Sequence, residues 1–332
     1  MVKVLNLENV EFSTKHGLYD GNETYKEGII YEDEMWILKY FLDEDDSHYY
    51  ETTNTTEDSN DLKYERSRTA LSEFIASNIY SILGYPVQET MLARRYTSLV
   101  VICKDFAIEK DFIAMNKLHS LAPFEVLKIE HNLLKPLHIM YDDQIRSYVF
   151  HFKNNPVMNK INGITERFWE QSIIDVLINN GDRGTSNWGV LKDENGNMEL
   201  APMFDNGNSL PTPITGKTRS EFLNNETLLY TNVLNTVSTY LAVRYKDYFI
   251  HNEDLRKAVL KIVPLIEDKL EDIFKFIDTI PEYQYFDDGL KLKVCPIMAK
   301  KLYKKQLQIR FDILLKPLYN AVIDYKLNIG VI

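Results

Sequence analysis

The chain has 332 residues, with 38 Lys and Arg against 49 Asp and Glu; the net charge of −11 excludes the broad basic face that nucleic acid or an anionic membrane would need. Its length and ordinary apolar share allow a sizeable core in one large or two smaller domains, while two cysteines, Cys103 and Cys295, exclude a disulfide framework or a cysteine metal cluster. No run reaches the ~18 to 20 apolar residues of a membrane span and no leader-like apolar stretch opens the chain. A cytoplasmic protein is therefore expected, with export by a route lacking a leader left open.

Taken in order, residues 1 to 31 alternate weakly between apolar and polar positions (Val2, Val4, Leu5, then Val10 and Phe12), which predicts strands. Between them lies a polar turn with His16, Gly17 and Gly21. Its glycines could bring backbone N–H groups to phosphate oxygens, and an ordinary hairpin turn uses the same residues. Glu34–Tyr40 reads as a buried strand with Lys39 near its end, either an exposed strand-end cation or one that grips a phosphate. Residues 43 to 66 are polar and hydroxyl-rich without period, and predict a loop.

A helix follows, capped by Ser67 or Thr69, striped by Leu71, Phe74, Ile75, Ile79 and Ile82, and stopped by Gly84 and Pro86. Glu73 sits on it, off the apolar stripe: a solvated glutamate, or the partner that orients Lys39. Ser98 to Phe106 is a near-continuous apolar run suited to a central strand entering a hinge. From about 109 onward the period is helical, over 121–135, 167–180, 226–245, 253–277 and 296–326, with a turn cluster at Pro211-Thr212-Pro213. Strands followed by helices predict an α+β chain, with a small sheet-rich lobe over 1–106 and a large helical lobe over 107–332.

The stretch from Ile173 to Leu210 carries the chemistry. Asp182 follows an apolar helix and the turn Asn179-Asn180-Gly181, and Asn187 stands five positions later. That D-x-x-x-x-N spacing places a base beside an acceptor hydroxyl and an amide oxygen on Mg²⁺. Asp205, after the apolar run Leu200–Phe204, suits the charged Mg²⁺ ligand, and Arg183 is positioned to neutralise developing charge or to pair with Asp182. Asn, Asp and Gly also dominate plain turns, so each motif alone is weak; the order Lys39, Glu73, Asp182, Asn187, Asp205 carries the weight.

Asp182-Arg183-Gly184-Thr185-Ser186-Asn187-Trp188-Gly189, with Leu200–Asp205, Ser72-Glu73-Phe74, Leu83–Thr90 and Val100–Phe106, resembles the HipA-like protein kinases, in their smaller CtkA-type branch. The resemblance spans roughly residues 30 to 210. It implies a two-lobed protein-kinase-like fold, ATP and Mg²⁺ as cofactors, and Ser/Thr phosphorylation including autophosphorylation. It makes Lys39 the phosphate-binding lysine, Asp182 the catalytic aspartate, and Asn187 and Asp205 the metal ligands. The hinge backbone at Cys103, Lys104 and Asp105 would then meet adenine. Where such loops commonly carry a histidine two residues past the aspartate, this chain has Gly184. A pseudokinase or nucleotide-binding regulator is one alternative, and a lipid or small-molecule kinase another. A protein substrate is expected without being named, and a regulatory or antitoxin partner is left open. The hydroxyls of 43–66 are the expected self-phosphorylation region.

Overall fold

The computed structural model describes residues 1–14, 25–40, 57–134, 140–210 and 216–328. A six-stranded sheet forms the N-terminal lobe in the order β1-β5-β6-β4-β3-β2. Its strands are β1 (Leu5–Asn6), β2 (Glu11–Phe12), β3 (Tyr25–Tyr31), β4 (Glu34–Tyr40), β5 (Thr90–Arg95) and β6 (Ser98–Lys104). β1 lies parallel to β5 and the other pairs are antiparallel.

Strand alternation sorts the sheet's side chains into two cores. Ile29, Trp36, Leu38, Ala93, Val100 and Ile102 fill a small cluster on one face. Leu92, Leu99, Val101 and Cys103 look the other way, onto helix α1 (Glu57–Ile82), and join the main core. α1 begins ten residues before the expected Ser67. Nothing in 57–82 breaks a helix, since the stretch contains neither Gly nor Pro. The expected loop over 43–66 is thus helical from 57 on, and its remainder lies outside the described residues.

The second lobe is mostly helical, with a three-stranded sheet of β7 (Asp111–Ala114), β8 (Gly189–Lys192) and β9 (Met198–Leu200) in the order β7-β8-β9 and one further hairpin. Its helices open with α2 (Met115–Ser120), α3 (Phe124–Leu134), α4 (Met140–Asn154) and α5 (Ile164–Ile178). α6 (Gly216–Asn224), α7 (Glu226–Leu234), α8 (Val237–Tyr248) and α9 (Glu253–Thr279) follow. α10 (Ile297–Arg310) runs through a π-turn into α11 (Lys316–Asn328). α4 has no counterpart in the expected pattern because Asp142, Asp143 and Gln144 interrupt its apolar period. The single helix expected over 226–245 is two, divided where the Thr236 side chain caps α8 by accepting from the Thr239 N–H.

α5 lies at the centre, with Phe168, Trp169, Ile173, Ile174, Leu177 and Ile178 all buried, so it is apolar around most of its circumference. The lobes are tied from the far end of the chain. A hairpin of β10 (Tyr283–Tyr285) and β11 (Lys291–Lys293) lies beside β6, and Arg94, itself buried, pairs with Asp288 at 2.5 Å and stacks on Phe286. Phe74 of α1 meets Phe276 of α9 with ring centroids 5.7 Å apart. These sequence-distant contacts set how the sheet faces α5.

Candidate functional site

The site is assembled where β4, α1 and the loops around 182 and 205 converge. Lys39 on β4 is almost fully buried and donates to Glu73 Oε2 at 2.8 Å and to Asp205 Oδ1 at 3.4 Å. Glu73 is buried too, although its place on the helix wheel set it off the apolar stripe. It faces the sheet instead of solvent because its second oxygen accepts the Asn206 backbone N–H at 2.9 Å. Both oxygens are thus used, which is how a buried carboxylate escapes its desolvation penalty. Burial lowers the Lys39 proton affinity, but Glu73, Cys103 and Asp205 outweigh it and hold the ammonium well above its ordinary value.

Asp205 sits in the left-handed region at φ 57°, a conformation that Asp tolerates better than most residues and that re-aims the chain after Phe204. Burial pushes its carboxyl up, yet Lys39, with Lys26 and Arg183, holds it below the usual carboxylate range. Two residues on, Gly207 lies against α1: a Cβ there would stand 2.8 Å from the Thr69 methyl. Only a residue without a side chain lets this loop approach Glu73 so closely.

The loop bearing Asp182 starts at the end of α5, where Asn179 takes the left-handed conformation (φ 59°) and closes the helix. Asp182 is exposed, and its Oδ2 accepts from Asn208 Nδ2 at 3.3 Å. Its backbone carbonyl accepts from Gly184 N (2.7 Å) and from Asn187 Nδ2 (2.8 Å), which aims the Asn187 Oδ1 outward. That oxygen accepts from Ser186 Oγ at 3.2 Å and keeps a second lone pair.

Arg183 behaves differently from expectation. It pairs not with Asp182 but with Asp175 on α5, Nε to Oδ2 at 3.0 Å and Nη2 to Oδ1 at 3.1 Å. Nη1 donates to Asn187 O (3.1 Å) and Phe204 O (2.6 Å), and Nη2 also to Asn206 Oδ1 (2.6 Å). A guanidinium has five N–H groups, and all five are committed. Arg183 therefore has no donor left for a phosphate; it pins the loops of Asn187 and Asp205 to one point. Tyr80 of α1 donates to the same Asp175 at 2.8 Å, and Asn206 donates to Ser77 at 3.0 Å, so the helix bearing Glu73 joins the same network.

At the hinge, Cys103 lies between β4 and β5, and burial pushes its thiol up to about 12. Lys104 N donates to Glu89 O (2.9 Å), Lys104 O accepts from Gln88 (2.9 Å), and Asp105 N donates to Met35 O (3.0 Å). These groups are taken up by the sheet, so of the hinge backbone expected to meet adenine the N–H groups of Lys104 and Asp105 are already paired. Just beyond, Phe106 packs with Phe112 and Phe204, centroids 5.2 to 5.9 Å apart, joining hinge to the Asp205 loop. His16, Gly17 and Gly21 lie outside the described residues, as does the Pro211–Pro213 cluster.

One residue of this corner was not singled out from the sequence. Lys26 on β3 is paired in register with Lys39, and residues directly opposite share a sheet face. The register follows from the two-residue turn Glu32-Asp33, both at positive φ (51° and 62°), which joins β3 to β4. Neither residue is the Asn or Gly that announces such a turn, so the pairing was hard to read.

A second cluster lies away from the cleft. His119 Nε2 is 3.0 Å from Glu130 Oε1, His151 Nε2 is 3.0 Å from Glu130 Oε2, and Ser147 Oγ donates to Glu130. Three such side chains can hold a metal, but Asn155 argues otherwise. Its Oδ1 accepts from Val157 N (2.9 Å) and Met158 N (3.3 Å), so its Nδ2 is the group facing His151 Nδ1 at 3.3 Å. Nδ1 is then the acceptor, Nε2 carries the proton, and a protonated nitrogen has no lone pair for a cation. Glu130 is thereby enclosed, although the buried His151 Nε2 meets it at ion-pair distance without hydrogen-bond geometry.

No family model matches the chain. Among curated proteins it is similar to the serine/threonine-protein kinase CtkA of Helicobacter pylori, at 26% identity over 284 residues, covering 82% of this chain and 78% of that protein. Among solved structures it is similar to the Helicobacter pylori proinflammatory kinase CtkA, with a TM-score of 0.67 at 20% identity over 98% of this chain and the whole of that one. The HipA of a Shewanella oneidensis HipA–HipB–operator DNA complex aligns with a TM-score of 0.37 at 13% identity, over 92% of this chain and 69% of that one.

Proposed function

We propose that this chain, a HipA-like kinase of the CtkA type by likeness of sequence and fold, transfers the γ-phosphate of ATP to Ser or Thr hydroxyls with Mg²⁺. The observation that carries the reading is the buried Lys39–Glu73 pair at 2.8 Å with Asp205 3.4 Å from the same ammonium. A buried cation fixed by one carboxylate beside a second, ionised one suits a nucleotide's phosphates and their metal. Asp205 and the outward Oδ1 of Asn187 are hard oxygen donors of the kind Mg²⁺ takes; when bound it would draw charge from the phosphate oxygens.

In this reading Asp182, exposed at the loop edge and steadied by Asn208, accepts the proton of the acceptor hydroxyl. Lys39 holds phosphate oxygens, Glu73 aims Lys39, and Arg183 positions both loops without touching substrate. The adenine contact shifts to groups past Asp105. Gly184, the feature that favours a silent pseudokinase, loses force here, because the stiffness a histidine would give the loop is available from Arg183.

The test is incubation of purified protein with γ-labelled ATP and Mg²⁺ beside Asp182→Asn. Label on wild type and not on the variant is expected, on the protein itself or on an added protein acceptor. Phosphopeptide mapping then locates it, with the hydroxyls from Thr52 to Ser59 the first candidates. Neither transfer nor nucleotide binding by wild type would overturn the reading; label recovered only in extracted lipid would make it a lipid kinase.

A further inference from the structure

We infer that Lys26 is a second phosphate-binding cation of this cleft, acting beside Lys39 on the same sheet face. The inference rests on reading the cleft as a nucleotide site and adds a residue to it.

Four observations carry it. Register places Lys26 directly opposite Lys39, on the face that looks toward α1 and Asp205 rather than into the smaller core of Ile29, Trp36 and Leu38. Lys26 is half-buried, and among the described residues no hydrogen bond or ion pair satisfies it. The other lysines of this lobe that reach a carboxylate are taken up, Lys39 by Glu73 and Asp205 and Lys104 by Glu34. Lys26 is nevertheless near enough to Asp205 to be among the charges that hold that carboxyl low.

Charge balance gives the inference its force. Glu73 cancels Lys39, Asp175 cancels Arg183 and consumes its donors, and Asp182 and Asp205 remain as carboxylates. These residues leave two negative charges facing a polyanionic ligand; Lys26 offsets one of them, and the second falls to the Mg²⁺ that Asp205 would hold. An ammonium held half out of water and reached by Asp205 only at a distance leaves room for a second anion to complete it. A nucleoside triphosphate is the anion this position suits, because the same face carries the lysine that takes its inner phosphates. The charge-neutralising role expected of Arg183 thus passes to Lys26.

The experiment is equilibrium titration of the full chain with adenosine, ADP and ATP, each with Mg²⁺, on wild type, Lys26→Met and Lys26→Arg. Wild type should bind ATP far more tightly than adenosine. Lys26→Met should weaken ATP by about tenfold to a hundredfold, the usual worth of a hydrogen bond to a charged group, and ADP by less. Adenosine should be unchanged, and Lys26→Arg should restore most of the ATP affinity. If Lys26→Met keeps the wild-type preference for ATP, Lys26 is a solvated strand residue and the inference fails while the kinase reading stands. If adenosine weakens as much as ATP, the strand rather than the charge was disturbed, and the inference fails likewise. If wild type binds neither nucleotide, the kinase reading itself has failed.

Discussion

The inter-lobe corner and the His119–Glu130–His151 cluster are built from the same materials, carboxylates beside nitrogen bases with neighbouring Ser and Asn. In the cluster the carboxylate is enclosed: Ser147 and the two histidines surround Glu130, and Asn155 closes the far side of His151. In the corner the interior is equally satisfied around Arg183 and Glu73, but its outer edge is not. Asp182 and the Asn187 Oδ1 hold unused capacity that faces outward, and among the described residues the half-buried Lys26 has no hydrogen-bond or ion-pair partner. Residue type does not separate a site from a structural knot; what separates them is where hydrogen-bonding capacity is left over.

The largest effect that would sharpen this contrast lies at the open edge. Asp182→Asn should cut transfer by about 10² to 10⁴, the range for a lost general base, with thermal stability unchanged because the side chain is exposed. Asp205→Asn should abolish transfer as well and, unlike Asp182→Asn, weaken Mg·ATP binding, since it removes a metal ligand rather than a base. Calorimetric titration of both variants decides: equal Mg·ATP affinities would break the division of roles.

Much of this corner was legible because its chemistry dictates residue type and order. The order of a strand lysine, a helix glutamate, Asp182, Asn187 and Asp205 picks out residues that the fold brings to one corner, and the sheet-then-helix order predicts the α+β class. What escaped depends on facts that no local window holds. The burial of Glu73 follows from an N–H that arrives from residue 206, and the partner of Arg183 is an aspartate on the preceding helix rather than its sequence neighbour. Lys26 became visible only through the register of a hairpin whose turn residues, Glu32 and Asp33, lack the Asn-Gly or Asp-Gly pair that marks a two-residue turn. Which hinge groups stay open was not legible for a related reason: an apolar run shows that β6 is buried, not which of its N–H groups the neighbouring strands consume.

Arg183 offers the next test, of middling size. Arg183→Met would leave Asp175 buried without its cation and strand two carbonyls and the Asn206 amide oxygen, so it should cost about 3–5 kcal/mol of stability. Urea unfolding would show a lower midpoint with an unchanged slope. Arg183→Lys, a point charge without the planar fork, should recover only part. A variant that unfolds like wild type but has lost turnover would return Arg183 to the phosphate-facing role that the sequence suggested.

The smallest effect belongs to the closed cluster. Burial lowers the affinity of His151 for a proton, so the folded chain keeps it neutral below pH values at which the unfolded chain takes one up. Stability from this group is therefore lost as pH falls below the unfolded value of about 6.5. Burial tends to raise Glu130, but Ser147 and both histidines overcome it and leave the carboxyl lowered. Its contribution is present above the ordinary glutamate value and lost as pH falls through the folded one. The two trends share a sign, giving a stability that declines from about pH 6.5 downward. His151→Phe has a fixed cost of its own, since Asn155 loses an acceptor, yet it removes the titrating ring. Thermal melts at pH 7.5 and 5.5 should therefore show a smaller acid loss in the variant. An equal loss in both proteins would mean that the acid sensitivity arises elsewhere, and would leave the cluster a packing feature without electrostatic consequence.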